Sequence, residues 1–387
     1  DFVKTQAYKA GIVKQLVSGV TSLLAASKIA VVRGEASFSA PNDLLVRGPE
    51  GQKSFKFDKI IIASGSQPAI PPIPGADGPH CVDSAGALDL QAEPKSLVII
   101  GGGVIGMEIA TIYAALGSKV HIVEMLPEIL PSMDADLIKF VKTDLERKYV
   151  EILTGARVVS IRDKGIFASV EVETREGKKE LSGEKVLLAV GRKPSTASLN
   201  LDAVGIRHDR GRIIVNERME SSLPGVYAVG DCNGLIMLAH AASMQGEVAA
   251  ENAMGRQALF NGATNPSCVY TFPELAGVGL TEAEAKKRNL DYLVGRFPLQ
   301  ANGKALIMNG GKGLVKIIAG KRFKEILGVH IAGPRATDLI AEAALAIGTE
   351  LTVDEFINTI HGHPTLSEAV REAALALDKR ALHIPNR

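Results

Sequence analysis

The first part of the chain combines a helical pattern with strand-like runs. Seven apolar residues recur at helical spacing and predict an ordinary packed helix: Ile12, Val13, Leu16, Val17, Val20, Leu23 and Leu24. Strands are predicted after it, at 29–38, 43–47 and 54–62. The proline-rich segment 68–74 is expected to be stiff and extended, as at a domain boundary.

The middle of the chain predicts a strand–helix–strand unit. Residues 97–100 form an apolar run, 104–116 have helical spacing, and 119–124 form a second apolar run. The following elements are predicted next: a helix at 134–148, hairpin strands in 157–174, a buried strand at 225–231 and a helix near 238–254. From about residue 265 the pattern changes, to strands at 268–272, 291–298 and 313–318 with helices at 281–288, 337–347 and 366–377.

One eleven-residue pattern occurs twice, at 58–68 and at 184–194. Each copy has an acid–lysine pair, three apolar residues, Ala-x-Gly, two variable residues and a proline. An apolar run closed by glycine predicts a buried strand that presents a glycine turn to a ligand. The repetition indicates two related domains.

Gly101, Gly103 and Gly106 form a dinucleotide-binding fingerprint, because they follow a predicted strand and open a predicted helix. The first permits a tight turn, the second lets a pyrophosphate approach backbone N–H groups, and the third lets helix and strand pack closely. Glu124 ends the next strand and can accept ribose hydroxyls, and the two residues after it offer no cation for a 2′-phosphate. This predicts NAD rather than NADP; a glycine turn without a ligand is the alternative.

The second copy of the repeat follows this fingerprint, whereas the first copy has only 57 residues before it and none of them forms one. If the two domains are related, the first glycine loop belongs upstream of residue 1. The sequence is therefore expected to be a truncated form of the protein.

Composition narrows the class of protein. At 387 residues the chain can hold two or three domains, and 46% hydrophobic residues with 39 glycines are typical of α/β proteins. A net charge of +1 without a basic face argues against nucleic-acid binding, and no apolar run has the length of a membrane span. Cys81, Cys232 and Cys268 are too scattered for a disulfide framework or a zinc site. We therefore expect no metal site and a reducing, intracellular setting.

Three further side chains are candidates for chemistry, each with a structural alternative. Glu108 follows the glycine loop and could serve only to compensate the helix dipole. Asp231 ends a predicted buried strand, where α/β sheets bind ligands, or else it caps the next helix. His363 precedes a proline and could pair with Glu368, unless Glu368 only forms a capping box with Thr365.

Taken together, these features resemble the pyridine nucleotide-disulfide oxidoreductases. The segments that carry the resemblance are 61–66, 101–108, 189–194 and 226–231. Two others, 238–246 and 361–368, narrow it to the dihydrolipoamide dehydrogenase branch. The resemblance implies an α/β fold with two Rossmann-like dinucleotide-binding domains, for FAD and NAD, and a C-terminal α+β dimerisation domain. The implied boundaries are 1–70 with 195–264 for FAD, 71–194 for NAD and 265–387 for dimerisation.

The resemblance also implies roles for single residues. Contacts with FAD are expected from Ser64, Gly65, Asp231, Leu238 and Ala239. Besides the glycine loop, contacts with NAD are expected from Ile105, Glu108, Glu124, Val158 and Gly191. His363 is the implied acid–base, oriented by Glu368 and placed against the flavin of the partner subunit in a homodimer.

The chain departs from this family in one respect. The family's N-terminal glycine loop, which holds the ADP half of FAD, and its Cys-x4-Cys redox disulfide do not occur. The FAD site is therefore expected to be incomplete and the flavin absent or weakly held, and this chain alone is not expected to run the dithiol half-reaction.

The leading functional prediction is oxidation of protein-bound dihydrolipoyl groups with NAD⁺. Its partners would be lipoyl-bearing proteins of 2-oxoacid dehydrogenase or glycine cleavage complexes, in the cytoplasm or, alternatively, the mitochondrial matrix. Two other functions stay open: an NADH-dependent reductase of another disulfide or a quinone, and a non-catalytic nucleotide-binding assembly subunit.

Overall fold

The structure is a computed structural model that describes residues 1–386. The helices in this range are α1 (Phe2–Ala26), α2 (Ser84–Leu88), α3 (Val104–Leu116), α4 (Ala135–Arg147), α5 (Ala239–Ala253), α6 (Glu282–Lys287), α7 (Gly303–Asn309), α8 (Ala336–Gly348), α9 (Val353–Asn358) and α10 (Glu368–Leu377). The strands of the first half are β1 (Glu35–Ala40), β2 (Asp43–Gly48), β3 (Gly51–Lys56), β4 (Ile60–Ile62), β5 (Ser66–Pro68), β6 (Cys81–Val82), β7 (Ser96–Ile100), β8 (Lys119–Glu124), β9 (Glu151–Thr154), β10 (Arg157–Asp163), β11 (Ala168–Thr174) and β12 (Gly177–Gly183). Those of the second half are β13 (Lys185–Leu188), β14 (Arg192–Pro194), β15 (His208–Asp209), β16 (Arg212–Ile213), β17 (Val226–Ala228), β18 (Ser267–Val269), β19 (Glu274–Gly279), β20 (Tyr292–Pro298), β21 (Leu314–Gly320) and β22 (Ile326–Gly333).

The chain divides into two compact units. The first comprises residues 1–69, 89–92 and 191–262, and the second comprises 70–88, 93–190 and 263–387. The segments expected from sequence to form separate NAD-binding and dimerisation domains thus share the second unit. The division into three domains stays a prediction.

The first unit is built on short strands. β4 and β17 pair in parallel, and α5 packs against both. An antiparallel sheet of β1, β2 and β3 and a two-stranded ribbon of β5 and β14 accompany them. The buried core includes Phe38, Ile62 and Val226.

The second unit begins with a parallel sheet in the order β6–β13–β7–β8–β9. Its central strands are almost continuous runs of Val, Ile and Leu because both of their faces are buried. β13, the strand of the second repeat, pairs with β7, the strand that leads into the glycine loop. An antiparallel sheet of β10, β11 and β12 lies in the same unit.

The rest of the second unit is an antiparallel sheet in the order β18–β19–β22–β21–β20. Helix α8 packs on β19 and β22, and α10 packs on β20 and β21. The largest buried cluster of this part gathers residues from the sheet and both helices, among them Val315, Ile340 and Ala373.

The predicted strand–helix–strand unit is confirmed as β7, α3 and β8. The strand predicted at 29–38 is wrong over its first half, since β1 begins at Glu35, and the run 54–62 is split between β3 and β4. Several elements were not predicted, among them β9, β12, β19, β22, α7 and α9.

Helix α1 is confirmed as a helix, but the expectation that it packs along its length is wrong. Asp1 caps it by accepting from the Lys4 N–H at 3.2 Å. Phe2 is its only buried residue, and Leu16 and Leu23 are exposed. Helical spacing shows which side chains share a face, not whether another element covers that face. No helix within residues 1–386 is long and apolar enough to cross a membrane.

Candidate cofactor and acid–base sites

The glycine loop follows β7 and opens α3, and two of its glycines are required by close approach. Gly101 has a φ of +111°, and a Cβ there would lie 2.4 Å from the Ala189 carbonyl oxygen. A Cβ on Gly106 would lie 2.0 Å from the Gly101 carbonyl oxygen. These are the tight turn and the close strand–helix packing that the sequence predicted.

Gly103 differs because a Cβ there would meet no atom within 4 Å. It is the N-cap of α3, and no side chain caps that helix end. The first N–H groups of α3 therefore have no side-chain acceptor, as at helix ends that bind a pyrophosphate. The loop fits a dinucleotide.

Glu124 is buried at the end of β8. Its Oε2 accepts from the Gly102 N–H and its Oε1 from the Leu126 N–H, both at 2.6 Å. The carboxylate thus holds the glycine loop in place, a role that the sequence analysis missed. Each oxygen keeps lone pairs for ribose hydroxyls.

Glu108 lies on α3, and its Oε1 accepts from the backbone N–H of Tyr270 at 2.9 Å. Burial raises its pKa, and the Tyr270 bond offsets only part of that effect. Glu108 lies beyond the first turn of α3, to which the effect of the helix dipole is largely confined, so dipole compensation is not its main interaction. Sequence spacing could not reveal a partner 162 residues away.

The other residues expected at the NAD site lie in different surroundings. Ile105 is half-buried on α3, whereas the Val158 side chain packs in the core. Gly191 is the first residue of its segment in the first unit, and the residue before it, Val190, belongs to the second unit.

The two repeated glycine turns are tied to each other. The Ala69 N–H donates to the Gly191 carbonyl at 3.0 Å, and the Ser195 N–H donates to the Gly65 carbonyl at 2.9 Å. These bonds are equivalent under the repeat, so the turns are related by a local two-fold axis. Both Gly65 and Gly191 have positive φ, and a Cβ on either would meet nothing within 4 Å. Each turn offers room for a ligand.

Asp231 lies in a 3₁₀ turn, Gly230–Cys232, directly after β17. It does not cap the next helix, so that alternative is wrong: α5 has Leu238 as N-cap, without a side-chain bond. The α5 terminus at Ala239 is thus open to an acceptor, as expected at a cofactor site. Ser64 is exposed beside the Gly65 turn.

The Asp231 carboxylate is bound to two residues for which the sequence analysis proposed no role. Ser66 Oγ donates to Asp231 Oδ2 at 2.5 Å, and Arg192 Nε lies 3.7 Å from the same oxygen. Ser66 and Arg192 occupy the same variable position of the repeated pattern, one in each copy. This equivalence within the repeat could have identified Ser66 and Arg192 from the sequence.

His363 is 81% exposed, and its Nδ1 lies 2.9 Å from Glu368 Oε1. Glu368 Oε2 accepts from the Thr365 N–H at 2.8 Å, so Glu368 bonds both the imidazole and the backbone. Burial acts to raise the Glu368 pKa, but the bonds from Thr365 and His363 outweigh it and the pKa is lowered. The carboxylate form is therefore favoured beside the imidazole. The bond between His363 and Pro364 is cis.

His361 differs from His363 although only two positions separate them. Its side chain is 5% exposed, with Nε2 2.9 Å from Glu342 Oε1. Alternation along an extended segment separates the two imidazoles. Only His363 has a ring nitrogen that an external group can reach.

The three cysteines are free thiols. Burial raises the pKa of Cys81, Cys232 and Cys268. Each is thus held as the neutral thiol, the less nucleophilic form.

Comparison with known proteins decides the family. Residues 2–246 match the family model described as pyridine nucleotide-disulphide oxidoreductase, and residues 265–374 match the model of its dimerisation domain. The chain belongs to the pyridine nucleotide-disulphide oxidoreductase family. This family uses FAD and NAD, the two cofactors that the sequence predicted. The second match shows that the chain carries the family's dimerisation domain and supports a homodimer.

Within the pyridine nucleotide-disulphide oxidoreductases, the chain is similar to dihydrolipoyl dehydrogenases. It is 44% identical to that of Thermus scotoductus over the whole chain and 84% of the relative. It is 41% identical to one from Bacillus subtilis over 99% of the chain and 83% of the relative.

Solved structures of the same family agree with this fold. The HOCl-induced flavoprotein disulfide reductase RclA from Escherichia coli has a TM-score of 0.90 at 30% identity, covering 97% of this chain and 85% of that one. LpdA from Mycobacterium tuberculosis has a TM-score of 0.89 at 28% identity, covering 96% and 82%.

Proposed function

We propose that this chain acts as a dihydrolipoyl dehydrogenase with NAD⁺ as the electron acceptor. The reaction oxidises a protein-bound dihydrolipoyl dithiol to its disulfide and reduces NAD⁺ to NADH, with release of one proton. FAD, when bound, supplies the two-electron chemistry between dithiol and nucleotide. The similarity to dihydrolipoyl dehydrogenases over the whole chain supports this assignment.

For NAD, we propose that Gly101, Gly103 and Gly106 hold the pyrophosphate at the start of α3. Glu124 would accept the ribose hydroxyls, and Glu108 would lie near the nicotinamide. The open space at Gly103 and the spare lone pairs of Glu124 support these roles. We extend the proposal to Ile105, to the Val158 backbone and to Gly191.

For FAD, we propose contacts from the Ser64–Gly65 turn, from Asp231 and from the start of α5 at Leu238 and Ala239. The open Gly65 turn and the uncapped α5 terminus support this set. We also propose the domain boundaries implied by the sequence, with residues 1–70 and 195–264 binding FAD and residues 71–194 binding NAD.

We propose His363 as the base that takes a proton from the dithiol, with Glu368 as the residue that orients it. The single observation that carries this assignment is the short His363–Glu368 bond beneath an exposed imidazole. Since Nδ1 is bound to the carboxylate, Nε2 is the atom that faces the substrate. Glu368 also stabilises the ring when it carries the proton.

The test is His363→Gln in the gene product that contains this chain. Dihydrolipoamide oxidation should fall by at least about a hundredfold, the usual weight of general base catalysis. Reduction of an artificial acceptor by NADH should be retained, because it removes no thiol proton. His383→Gln is the matched control, since His383 is an exposed histidine beside Glu372. Equal loss of both activities in His363→Gln would mark His363 as structural.

A second candidate is an NADH-dependent reductase of another disulfide. The likeness to RclA, a flavoprotein disulfide reductase of Escherichia coli, favours it. Reduction of a disulfide must supply protons to the sulfurs that become thiols, so a reductase of this kind would also use His363, as the acid. The substrate therefore separates the two functions: a dihydrolipoyl dehydrogenase oxidises dihydrolipoamide with NAD⁺, whereas a reductase of another disulfide does not.

Lipoyl-bearing proteins of 2-oxoacid dehydrogenase or glycine cleavage complexes are the proposed partners. The names of the dihydrolipoyl dehydrogenase relatives support this. Bacterial relatives and plant relatives named mitochondrial both match, so the compartment stays a prediction.

A further inference from the structure

The backbone of the Asp231 turn is held without help from the Asp231 side chain. Gln245 Oε1 accepts from the Gly230 N–H at 2.7 Å and from Asn233 Nδ2 at 2.8 Å. Asn233 Nδ2 also donates to the Ala228 carbonyl at 3.1 Å, and both amide side chains are buried. The position of the turn is therefore fixed from the α5 side.

The Asp231 carboxylate is oriented by a different set of bonds. Arg192 Nε donates to Ser66 Oγ at 2.7 Å, and Arg192 Nη2 donates to the Ser66 carbonyl at 2.9 Å. Because Ser66 Oγ accepts from Arg192, its own hydrogen is directed to Asp231 Oδ2. Within residues 1–386, no donor is bonded to Asp231 Oδ1. One carboxylate oxygen is thus anchored and the other is available.

The β5–β14 ribbon explains why Arg192 can reach Ser66. Arg192 pairs with Pro68 and Pro194 pairs with Ser66, so Arg192 and Ser66 are diagonal neighbours on one face. The two reciprocal backbone bonds between the glycine turns set this register. Lys193, the next residue, points to the opposite face and is exposed.

We propose that Arg192, acting through Ser66, is a positioning residue that aims Asp231 Oδ1 at a hydroxyl group of the flavin. The inference rests on the proposed function in taking FAD as the ligand of Asp231. Oδ1 is well suited to accept from a hydroxyl, since a carboxylate oxygen forms strong charge-assisted hydrogen bonds. Without Arg192 the Ser66 hydroxyl rotates freely, and binding must first order the carboxylate.

The experiment uses the gene product that contains this chain, freed of bound flavin, and titrates the wild type, Arg192→Met and Lys193→Met with FAD while following flavin fluorescence. Arg192→Met should weaken FAD binding by about tenfold, the weight of one charge-assisted hydrogen bond. Lys193→Met removes the same charge from the other face and should change affinity by less than about twofold.

A double-mutant cycle distinguishes positioning from a structural role. In an Asp231→Asn background, Arg192→Met should cause no further loss of FAD affinity, because the carboxylate through which Arg192 acts is gone. A purely structural Arg192 would add its effect in both backgrounds. If Arg192→Met does not fold, Arg192→Lys keeps the charge, cannot make both bonds to Ser66 and should lose several-fold in affinity.

If Arg192→Met, or Arg192→Lys in its place, binds FAD as tightly as Lys193→Met does, the positioning role is overturned. The proposed function then stays intact. Additive losses in the cycle would lead to the same conclusion. A wild-type gene product, containing this chain, that binds no FAD would overturn both the positioning role and the assignment of Asp231 to the flavin.

Discussion

Lys316 on β21 and Asp134, the N-cap of α4, form an ion pair in which both side chains are only 2% exposed. Lys316 Nζ lies 2.8 and 2.9 Å from the two Asp134 oxygens. It also lies 2.9 Å from Asp136 Oδ2 and 2.7 Å from Glu282 Oε2, so one ammonium group meets three carboxylates. The pair joins the glycine-loop part of the second unit to the family's dimerisation domain.

We expect Lys316→Met to destabilise the protein strongly, because the buried Asp134 carboxylate loses its cation. Asp136 and Glu282 keep their bonds from Arg296. Removing one partner of a buried ion pair costs about 3–5 kcal/mol of unfolding free energy. Denaturant unfolding followed by circular dichroism measures this loss. The control is Lys321→Met, since Lys321 pairs with Asp291 at the surface and its loss should cost under about 1 kcal/mol. Similar midpoints for the two variants would contradict the importance of the buried pair.

The same carboxylate cluster should make the free energy of unfolding depend on pH in the acidic range. Burial acts to raise the pKa of Asp134 and Asp136, but bonds from Lys316, and for Asp136 also from Arg296, outweigh it and lower both pKa values. A lowered folded-state pKa stabilises the protein above the usual value of 3.8, and this contribution is lost as the pH falls through the folded-state pKa. The difference in unfolding free energy between wild type and Lys316→Met should therefore shrink in acid. A difference that does not change with pH would count against this coupling.

Two alanine substitutions in the glycine loop should separate folding from nucleotide binding. Gly103→Ala adds a methyl group to open space at an ordinary φ, so the melting temperature should barely change while NADH binding weakens. Gly106→Ala places a Cβ against the Gly101 carbonyl and should destabilise the fold by about 1–3 kcal/mol. Thermal melting and NADH titration measure the two effects. Unchanged NADH affinity in Gly103→Ala would rule out the pyrophosphate position.

Glu124 should determine the preference for NADH over NADPH. A 2′-phosphate beside this carboxylate is repelled, since no neighbouring cation offsets its charge. Glu124→Ala with Met125→Arg should relax the preference, because Met125 is exposed and an arginine there can pair with the phosphate. The ratio of the two dissociation constants measures it.

Glu124→Ala alone is the control for the loop. It leaves the Gly102 and Leu126 N–H groups without their acceptor, at about 1–3 kcal/mol for the buried Gly102 group. NADH affinity should therefore fall in the single variant too, but NADPH should gain only when the arginine is present. Equal wild-type affinity for both nucleotides would refute the assignment.

The local chemistry of the glycine loop was predictable from sequence because its causes are local. An apolar run, three glycines and a helical pattern lie within about twenty residues and determine β7, the turn and α3. The repeat likewise predicted two glycine turns, and both have positive φ and open space. The pairing of His363 with Glu368 was within reach for the same reason, since five positions separate them.

Tertiary structure decided what depends on distant partners. β22 was missed because His330 and two glycines interrupt its apolar pattern, and the strand is defined by pairing with β19 and β21 on either side. The Lys316–Asp134 pair and the contact of Arg192 with Ser66 join residues more than a hundred positions apart, which no short stretch of sequence contains. The exposure of α1 likewise depends on which other elements pack against it. The sequence determined which residues could form each element, whereas long-range packing determined which of their side chains are covered, paired or left open.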